Sequence, residues 1–273
     1  MMSFGLAELQ RFKLDAEGQM HATSDEMQPF AELLASGHAP TQKGDVRLNI
    51  AATDSDFREE SVRKIEDYVE LTAGFSRLKQ VNIHFAPRRW FDEKQTQGRE
   101  GDYDLLIDAI RRIAGVASDR GIEIVCENHA RYWTGLTEDA SGHEVDWDNR
   151  DSYFGASPEE WIGICEEVDR PNVLLCLDTS HACTYVNTFP EPQRAKALEA
   201  FLVRPDLISH VHWSDNYLYD ARGRADSHAL LGEGTLPTEF HRAIRALNAT
   251  ILVETFPNNA EEIESQLRFI DEL

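Results

Sequence analysis

Short apolar runs alternate along the chain with longer segments in which apolar residues recur every three or four positions. The short runs are typical of buried β-strands, and the three-and-four spacing is typical of amphipathic helices. Alternation of the two predicts βα units, whose strands form a parallel sheet. Six strands have clear boundaries in the pattern: residues 46–51, 80–85, 122–127, 172–178, 207–213 and 250–254.

Two of the intervening segments carry clear helix signals. In residues 104–120, apolar side chains such as Leu106, Ile110 and Ile113 fall on one helical face. Another helix should begin at Ser157, which is a favoured N-cap residue, with Pro158 at the first helical position. Helices at these places would return the chain to the start of the next parallel strand.

A parallel barrel of eight strands typically takes about 250 residues, and this chain has 273. The two strands that the clear pattern lacks must then come from the first 45 residues, where residues 3–6 and 15–21 are the candidates. No linker, low-complexity tract or internal repeat marks a second domain. We therefore predict the α/β class and a single (β/α)8 TIM-barrel domain over residues 1–273.

One connection between predicted elements is much longer than the others. Residues 128–156 are polar and aromatic and show no clear period. Loops this long in a compact domain are commonly functional lids or disordered segments. Because this loop follows a strand end, we expect it on the rim of the barrel, as a lid.

The composition, 41% hydrophobic and 28% charged, is that of a globular protein with a sizeable core. The 49 acidic and 27 basic residues give a net charge of −22, which repels the phosphates of nucleic acids. We therefore expect no nucleic-acid partner. No apolar run approaches the roughly 20 residues that a membrane span needs. The cysteines show no CxxC pairing, so we expect a cytoplasmic protein without membrane contact.

Five consecutive strands end in a side chain that can bind a metal ion: His84, Glu127, Asp178, His212 and Glu254. The carboxyl ends of parallel barrel strands meet on one face, so residues far apart in sequence converge there. Carboxylates after apolar runs would be costly to bury unpaired, and a divalent cation removes that cost. Each residue alone could be a helix N-cap or a satisfied core group, but five in succession favour a metal site. The four residues Glu127, Asp178, His212 and Glu254 offer three carboxylates and one imidazole, a mixture that suits Mn²⁺, Mg²⁺ or Co²⁺ better than a cysteine-rich zinc site would.

The segments around these residues carry motifs in a fixed order. They read CENH at 126–129, LDTSH at 177–181, HVHWSDN at 210–216, DSHALLGEG at 226–234 and VE at 253–254. Together they resemble the xylose isomerase-like TIM-barrel superfamily, and within it the sugar phosphate isomerase/epimerase family. The resemblance covers about residues 80–257.

The resemblance implies one divalent ion, usually Mn²⁺ with Mg²⁺, Co²⁺ or Zn²⁺ as alternatives, held by Glu127, Asp178, His212 and Glu254. The substrate's carbonyl and adjacent hydroxyl would chelate this ion. Glu127 and Glu254 would be the catalytic residues, removing and returning a proton at the carbon next to the carbonyl. The resemblance also implies that His181 binds a substrate oxygen and that His84 lines the pocket or adds a ligand.

We therefore expect a metal-dependent isomerase or epimerase of a sugar, sugar phosphate or sugar acid that works by enediolate proton transfer. Its partner would be a small carbohydrate, and homo-oligomerisation stays open. A lyase or hydrolase of a modified sugar on the same metal site is an alternative, which only product identification separates from isomerisation.

The metal-dependent endonucleases of abasic DNA belong to the same superfamily, and an endonuclease IV-like activity is a further alternative. Four residues resemble ligands of the three-metal site of those enzymes: His84, His181, Asp226 and His228. The strand that ends in a further histidine there reads Leu-Asn-Ile-Ala-Ala here, at 48–52. The missing ligand and the net charge of −22 argue against this alternative.

Substrate specificity should lie in the loop at 128–156 and in residues 88–90, at the exit of the strand that carries His84. Arg88 and the adjacent Arg89 could grip a phosphate or carboxylate, although a surface ion pair explains them as well. Trp90 could stack on a sugar ring or pack in the core. Four other histidines have no supporting context, and we expect them at the surface or in local structure: His21, His38, His143 and His241.

Overall fold

The structure is a computed structural model. It describes residues 34–92 and 94–273 in full, together with the backbone of four short stretches at 2–4, 8–9, 13–14 and 20–21.

Eight strands form a curled sheet in which all neighbours are parallel. They are β1 (Met2–Phe4), β2 (Glu8–Leu9), β3 (Ser36–His38), β4 (Gln80–His84), β5 (Glu123–Glu127), β6 (Val173–Asp178), β7 (Ile208–Trp213) and β8 (Thr250–Val253). The strand order is β1-β8-β7-β6-β5-β4-β3-β2. The predicted α/β class with a parallel sheet is confirmed.

Helices connect the strands. Those in the described residues are α1 (Ser55–Thr72), α2 (Tyr103–Asp119), α3 (Pro158–Val168), α4 (Thr179–Val186), α5 (Glu191–Glu199), α6 (Thr238–Arg245) and α7 (Ala260–Glu272). The predicted start of α3 is confirmed, because Ser157 Oγ accepts a hydrogen bond from the Glu160 backbone N–H at 3.2 Å. None of these described helices is both long and apolar enough to cross a bilayer.

The core lies between the sheet and the helices. The apolar face predicted for α2 is buried there, including Leu106, Ile110 and Ile113. Trp161 of α3 is fully buried, and its indole N–H donates to the carbonyl of Cys126 on β5 at 2.8 Å. Since that carbonyl precedes the last residue of β5, the hydrogen bond fixes α3 directly beneath the end of the strand.

The predicted strand at residues 46–51 is wrong. Only Val46–Arg47 is extended there, and it pairs antiparallel with Gln42–Lys43 in a hairpin outside the eight-stranded sheet. The apolar residues that follow are buried in a loop, where the Asn49 amide donates to two main-chain carbonyls at 3.0 and 2.8 Å. A buried loop and a buried strand share one apolar pattern, which explains the error.

Three strands of the sheet, rather than two, come from the first 45 residues. β1 overlaps the candidate at 3–6, of which residues 5 and 6 lie outside the described part. In the candidate at 15–21, residues 15–19 are also outside it, and Met20–His21 pairs antiparallel with Lys13–Leu14 away from the sheet. β3 is a strand that the sequence pattern did not predict.

The long connection at 128–156 lies at the C-terminal ends of the strands, as expected from its position after β5. It contains two short 3₁₀ turns, Gly142–Glu144 and Trp147–Asn149. Its Ser152–Tyr153 segment pairs antiparallel with Pro87–Arg89, which follows β4. This pairing attaches the loop to the segment that follows β4. We name residues 128–156 the rim loop because they lie at the C-terminal ends of the strands.

Two glycines of the rim loop allow a matched test of its packing. Both have positive φ, +74° at Gly155 and +78° at Gly135. A Cβ at Gly155 would lie 2.2 Å from the Phe85 ring, whereas no atom lies within 4 Å of a Cβ at Gly135. We expect Gly135→Ala to lower the free energy of unfolding by about 1–2 kcal/mol through backbone strain alone. Gly155→Ala should lose roughly 1–3 kcal/mol more through overpacking. Urea unfolding measures both, and equal losses would contradict this packing.

Candidate metal and active site

The C-terminal ends of the strands bring six side chains together, and these are His38, His84, Glu127, Asp178, His212 and Glu254. The register of the sheet decides which of them are neighbours. Glu127 on β5 pairs with His84 on β4, and Asp178 on β6 pairs with His212 on β7. Because paired residues of parallel strands point to the same face, the side chains meet there.

Glu127 lies at the centre of this cluster, with 1% of its surface exposed. Its Oε2 is 3.3 Å from His84 Nε2 and 3.6 Å from His38 Nε2. Its Oε1 is 3.2 Å from His181 Nδ1 and 3.6 Å from His212 Nδ1. One carboxylate therefore stands within ion-pair range of four imidazoles.

Asp178 uses its two oxygens differently. Oδ1 accepts a hydrogen bond from the His181 backbone N–H at 2.7 Å and so caps α4. Oδ2 is fully buried without a hydrogen-bond partner among the described residues, 3.9 Å from His212 Nδ1. The N-cap and metal-ligand interpretations of this residue are therefore compatible, since each uses one oxygen.

A series of ion-pair contacts links Glu254 to further residues beside the cluster. Its Oε2 lies 3.0 Å from His212 Nδ1 and 3.7 Å from His228 Nδ1. His228 Nε2 is 3.2 Å from Asp226 Oδ1, and the other oxygen of Asp226 is 3.1 Å from His181 Nε2. The structure thus brings Asp226, His228 and His181 to the same site as the residues at the strand ends.

Burial and the imidazoles act against each other on the carboxylates. Burial raises the pKa of Asp178 to about 7, and the nearby histidines offset this only in part. Burial also favours the neutral form of Glu127, but His84 and His212 outweigh it and hold the pKa of that carboxyl well below its usual range. For Glu254, burial is likewise outweighed by His212, which brings its pKa to about 2.

The donor atoms fit divalent cations. Among the described residues, four groups each place their donor atoms within 4.8 Å of one another, and three of them contain a carboxylate: His38 with His84 and Glu127; Glu127 with Asp178 and His212; Asp178 with His181 and His228. Carboxylate and imidazole donors together suit Mn²⁺, Co²⁺ and Zn²⁺. A cation would also give Asp178 Oδ2 the partner that the described protein atoms do not supply. Glu127 and Asp178 each belong to two groups, so neighbouring cations could share them.

His38 is a residue of this site that the sequence interpretation missed. The expectation that it lies at the surface or in local structure is wrong, because β3 carries it into the cluster. Its strand is short and contains Gly37, where a Cβ would lie 2.7 Å from the Tyr68 hydroxyl. Small residues let β3 approach Tyr68 closely, but they lack the β-branched or aromatic side chains by which a strand is usually predicted. The order Leu34-Ala-Ser-Gly-His38, apolar and small residues ending in histidine, was the available clue.

A cavity of about 540 Å³ opens beside the cluster, a size typical of small-molecule sites. It reaches the cluster at His84, His181 and Asp226, and the rim loop forms its outer wall from His129 to Glu138. The lining does not include the other residues of the cluster.

Among the residues predicted to set specificity, Arg88 does not line this cavity. Its guanidinium pairs with Glu160, lies 4.3 Å from the Phe154 ring, and faces a separate cavity on the outer side. Trp90 is buried in the wall, where its ring lies edge-on to Tyr132 at 5.2 Å between centroids. The structure therefore separates Arg88 from the cluster and places Trp90 behind the cavity lining.

Several solved structures share this fold at low sequence identity. A D-tagatose 3-epimerase-like protein superposes with a TM-score of 0.64 at 20% identity, covering 97% of this chain and 90% of that one. The apo form of a 3-keto-D-glucoside 4-epimerase from E. coli gives 0.59 at 17% identity, with 91% and 85% covered. A Thermus thermophilus protein from a crystal soaked with ZnCl2 gives 0.62 at 16% identity, with 97% and 88% covered.

Identities this low establish a common fold. A comparison with curated protein sequences finds no match. The family is shown by a sequence model of the xylose isomerase-like TIM barrel, which matches residues 30–273 and so spans most of the chain. It agrees with the parallel sheet and with the sugar epimerases among the structural neighbours. The chain belongs to the xylose isomerase-like TIM-barrel family.

Proposed function

We propose that the protein, as one domain, is a metal-dependent isomerase or epimerase of a carbohydrate that acts by proton transfer next to a carbonyl. The observation that carries the proposal is the pair of glutamates at one histidine, of which Glu127 is buried and Glu254 is partly exposed. His212 Nδ1 lies 3.6 Å from Glu127 Oε1 and 3.0 Å from Glu254 Oε2. Sugar epimerases among the structural neighbours support the same reaction class.

The two glutamates can remove and return a proton because their environments keep them ionised. The imidazoles around Glu127 and Glu254 hold both pKa values below the usual range, despite burial. A carboxylate in hydrogen-bond reach of a C–H next to a carbonyl acts as a general base, and its protonated form returns the proton. Asn82, whose amide donates to Glu127 Oε2, fixes the orientation of that carboxylate.

The metal ligands in this proposal are Glu127, Asp178, His212 and Glu254. When bound, a divalent ion supplies Lewis acidity that stabilises negative charge on a substrate oxygen. Three carboxylates and one imidazole favour Mn²⁺ among the candidate ions. His181 and His84 reach the cavity wall and would bind substrate oxygens.

Metal binding should stabilise the fold through Asp178. A ligand that binds only the folded state at 100 times its Kd adds about 2.7 kcal/mol, and about 2–4 °C of Tm per kcal/mol is typical of this chain length. We therefore expect saturating Mn²⁺ to raise the Tm by roughly 5–10 °C, and Asp178→Asn to abolish the shift. Asp108→Asn, on the exposed face of α2, is the matched control and should keep it. A shift of full size in Asp178→Asn would contradict the proposed ligand.

Proton transfer should leave an isotopic label. The Mn²⁺-loaded protein is incubated in D2O with free ketopentoses and ketohexoses and with their phosphates. We expect it to convert at least one of these sugars, and the product should carry deuterium at the reacting carbon. Mass spectrometry and NMR measure the position of the label. A converted sugar with no deuterium there would exclude this mechanism.

The two glutamates should both be needed. We expect Glu127→Gln and Glu254→Gln to lower kcat by about 10²- to 10⁴-fold, the usual contribution of a general acid or base. Metal content is measured in parallel, so that a lost ion is told apart from a lost base. Glu264→Gln, on an exposed position of α7, should leave kcat unchanged. Full activity in either of the first two variants, with metal retained, would refute the role of that glutamate.

His38 favours a second candidate, a hydrolase with more than one metal ion. The histidine that the abasic-site endonucleases carry at a strand end is absent from residues 48–52, which form a loop. A histidine lies instead at the end of β3, where His38 Nε2 is 3.6 Å from Glu127 Oε2. Nine side chains of metal-ligand type surround the site: His38, His84, Glu127, Asp178, His181, His212, Asp226, His228 and Glu254.

Metal counting separates the two candidates. The isomerase proposal predicts one ion per chain, which His38→Ala leaves in place. The hydrolase predicts two or three ions per chain, of which His38→Ala removes one. Plasma emission spectroscopy on protein loaded with Mn²⁺ or Zn²⁺ gives the number, and cleavage of an abasic-site duplex tests the hydrolase directly. The net charge of −22 still opposes a DNA substrate.

A further inference from the structure

The cavity beside the cluster is lined by three arginines, although the chain has a net charge of −22. They are Arg47, Arg131 and Arg224. Each guanidinium lies over a tryptophan ring, at 4.3, 5.1 and 4.2 Å from the centroid. Described residues form no carboxylate ion pair with any of the three, in contrast to Arg88, which pairs with Glu160.

Two of these arginines have structural roles. Arg224 donates to the carbonyls of Thr137, Glu138 and Ala140, and so holds the outer part of the rim loop. Arg131 is half-buried between the rings of Trp147 and Tyr185, and burial lowers its pKa.

Arg47 differs from the other two because its guanidinium is largely uncommitted. In the described part of the chain it makes one side-chain hydrogen bond, to the Tyr153 hydroxyl at 3.3 Å. A guanidinium has five N–H donors. When it lies over an indole, as here over Trp90, its donor edge stays available for a carboxylate or phosphate.

Arg47 is separated from the metal ligands by a stack of rings. His181 of the cluster stacks on His129 with 5.2 Å between centroids, and His129 stacks on Tyr153 at 3.7 Å. Arg47 contacts the far side of this stack through Tyr153. His84, His181 and Arg47 all line the cavity. A sugar whose carbonyl end lies at the two histidines would therefore extend its other end through the cavity toward Arg47.

We propose that Arg47 recognises an anionic group on the substrate, so that the protein acts on a sugar phosphate or a sugar acid rather than on a neutral sugar. This inference rests on the proposed function. It assigns to Arg47, which follows β3, the role that the sequence pattern suggested for Arg88. Trp90 positions Arg47 by lying beneath its guanidinium. Asp226 does not cancel the charge, because it is paired with His181 and His228.

Calorimetry on the Mn²⁺-loaded protein tests the inference with three probes of one skeleton: D-fructose, D-fructose 6-phosphate and D-fructuronate. We expect at least one charged probe to bind about 10- to 100-fold more tightly than fructose, the range of a charge-assisted hydrogen-bond pair. Arg47→Gln should reduce this preference to within about threefold, without changing the affinity for fructose. The charged probe that binds more tightly shows whether the site at Arg47 prefers a phosphate or a carboxylate.

Two further variants serve as controls for the Arg47→Gln result. Arg47→Lys keeps the charge but loses the two-pronged geometry, so it should retain an intermediate preference. Arg170→Gln, in the exposed turn before β6 at the opposite end of the sheet, is the matched control and should bind all probes as the wild type does. Unchanged Tm values show that the variants are folded.

The outcomes separate this inference from the proposed function. No preference for a charged probe in the wild type, or an equal preference in Arg47→Gln, as expected if phosphate merely binds the cation, would overturn the role of Arg47. A preference that depends on Arg47, together with no conversion and no deuterium uptake by any sugar, would uphold the anion site and refute the isomerase proposal.

Discussion

The structure depends on the burial of negative charge at the end of a parallel sheet. Glu127 and Asp178 are withdrawn from water, and an ionised carboxylate in such a place is strongly destabilising unless opposite charge or hydrogen bonds compensate. Four imidazoles compensate Glu127, but Asp178 keeps a raised pKa and an oxygen without a protein partner among the described residues. A divalent cation would complete this compensation, as the proposed metal site requires.

The sheet explains how residues so far apart in sequence come together at one site. Parallel register aligns the ends of β4 and β5 and the ends of β6 and β7, so each strand offers its last inward side chain at the same level. The helices and the rim loop then shape access. Trp161 holds α3 beneath β5, and the rim loop leaves a cavity beside His84 and His181. In the proposed function, the strand ends therefore supply the metal ligands and the bases, and the connections around them supply selectivity for the substrate.

Much of this arrangement follows from sequence patterns, and the failures have physical causes. Five strands and the residues at their ends were predicted because apolar runs and polar strand ends are local signals. The run at 46–51 failed because Asn49 satisfies a buried loop that has the apolar pattern of a strand. His38 was missed because β3 needs a glycine against Tyr68, and glycine weakens a strand signal. The position of Arg47 over Trp90 depends on tertiary packing, which no local pattern encodes.

The central claim is that a divalent cation lies among Glu127, Asp178, His212 and Glu254. Anomalous diffraction from a crystal grown with Mn²⁺, recorded on both sides of the manganese absorption edge, tests it most directly. We expect an edge-dependent peak bounded by three carboxylate oxygens and one imidazole nitrogen of these residues. Well-ordered density for all four side chains with no such peak between them, or with a carboxylate turned toward bulk solvent, would contradict it.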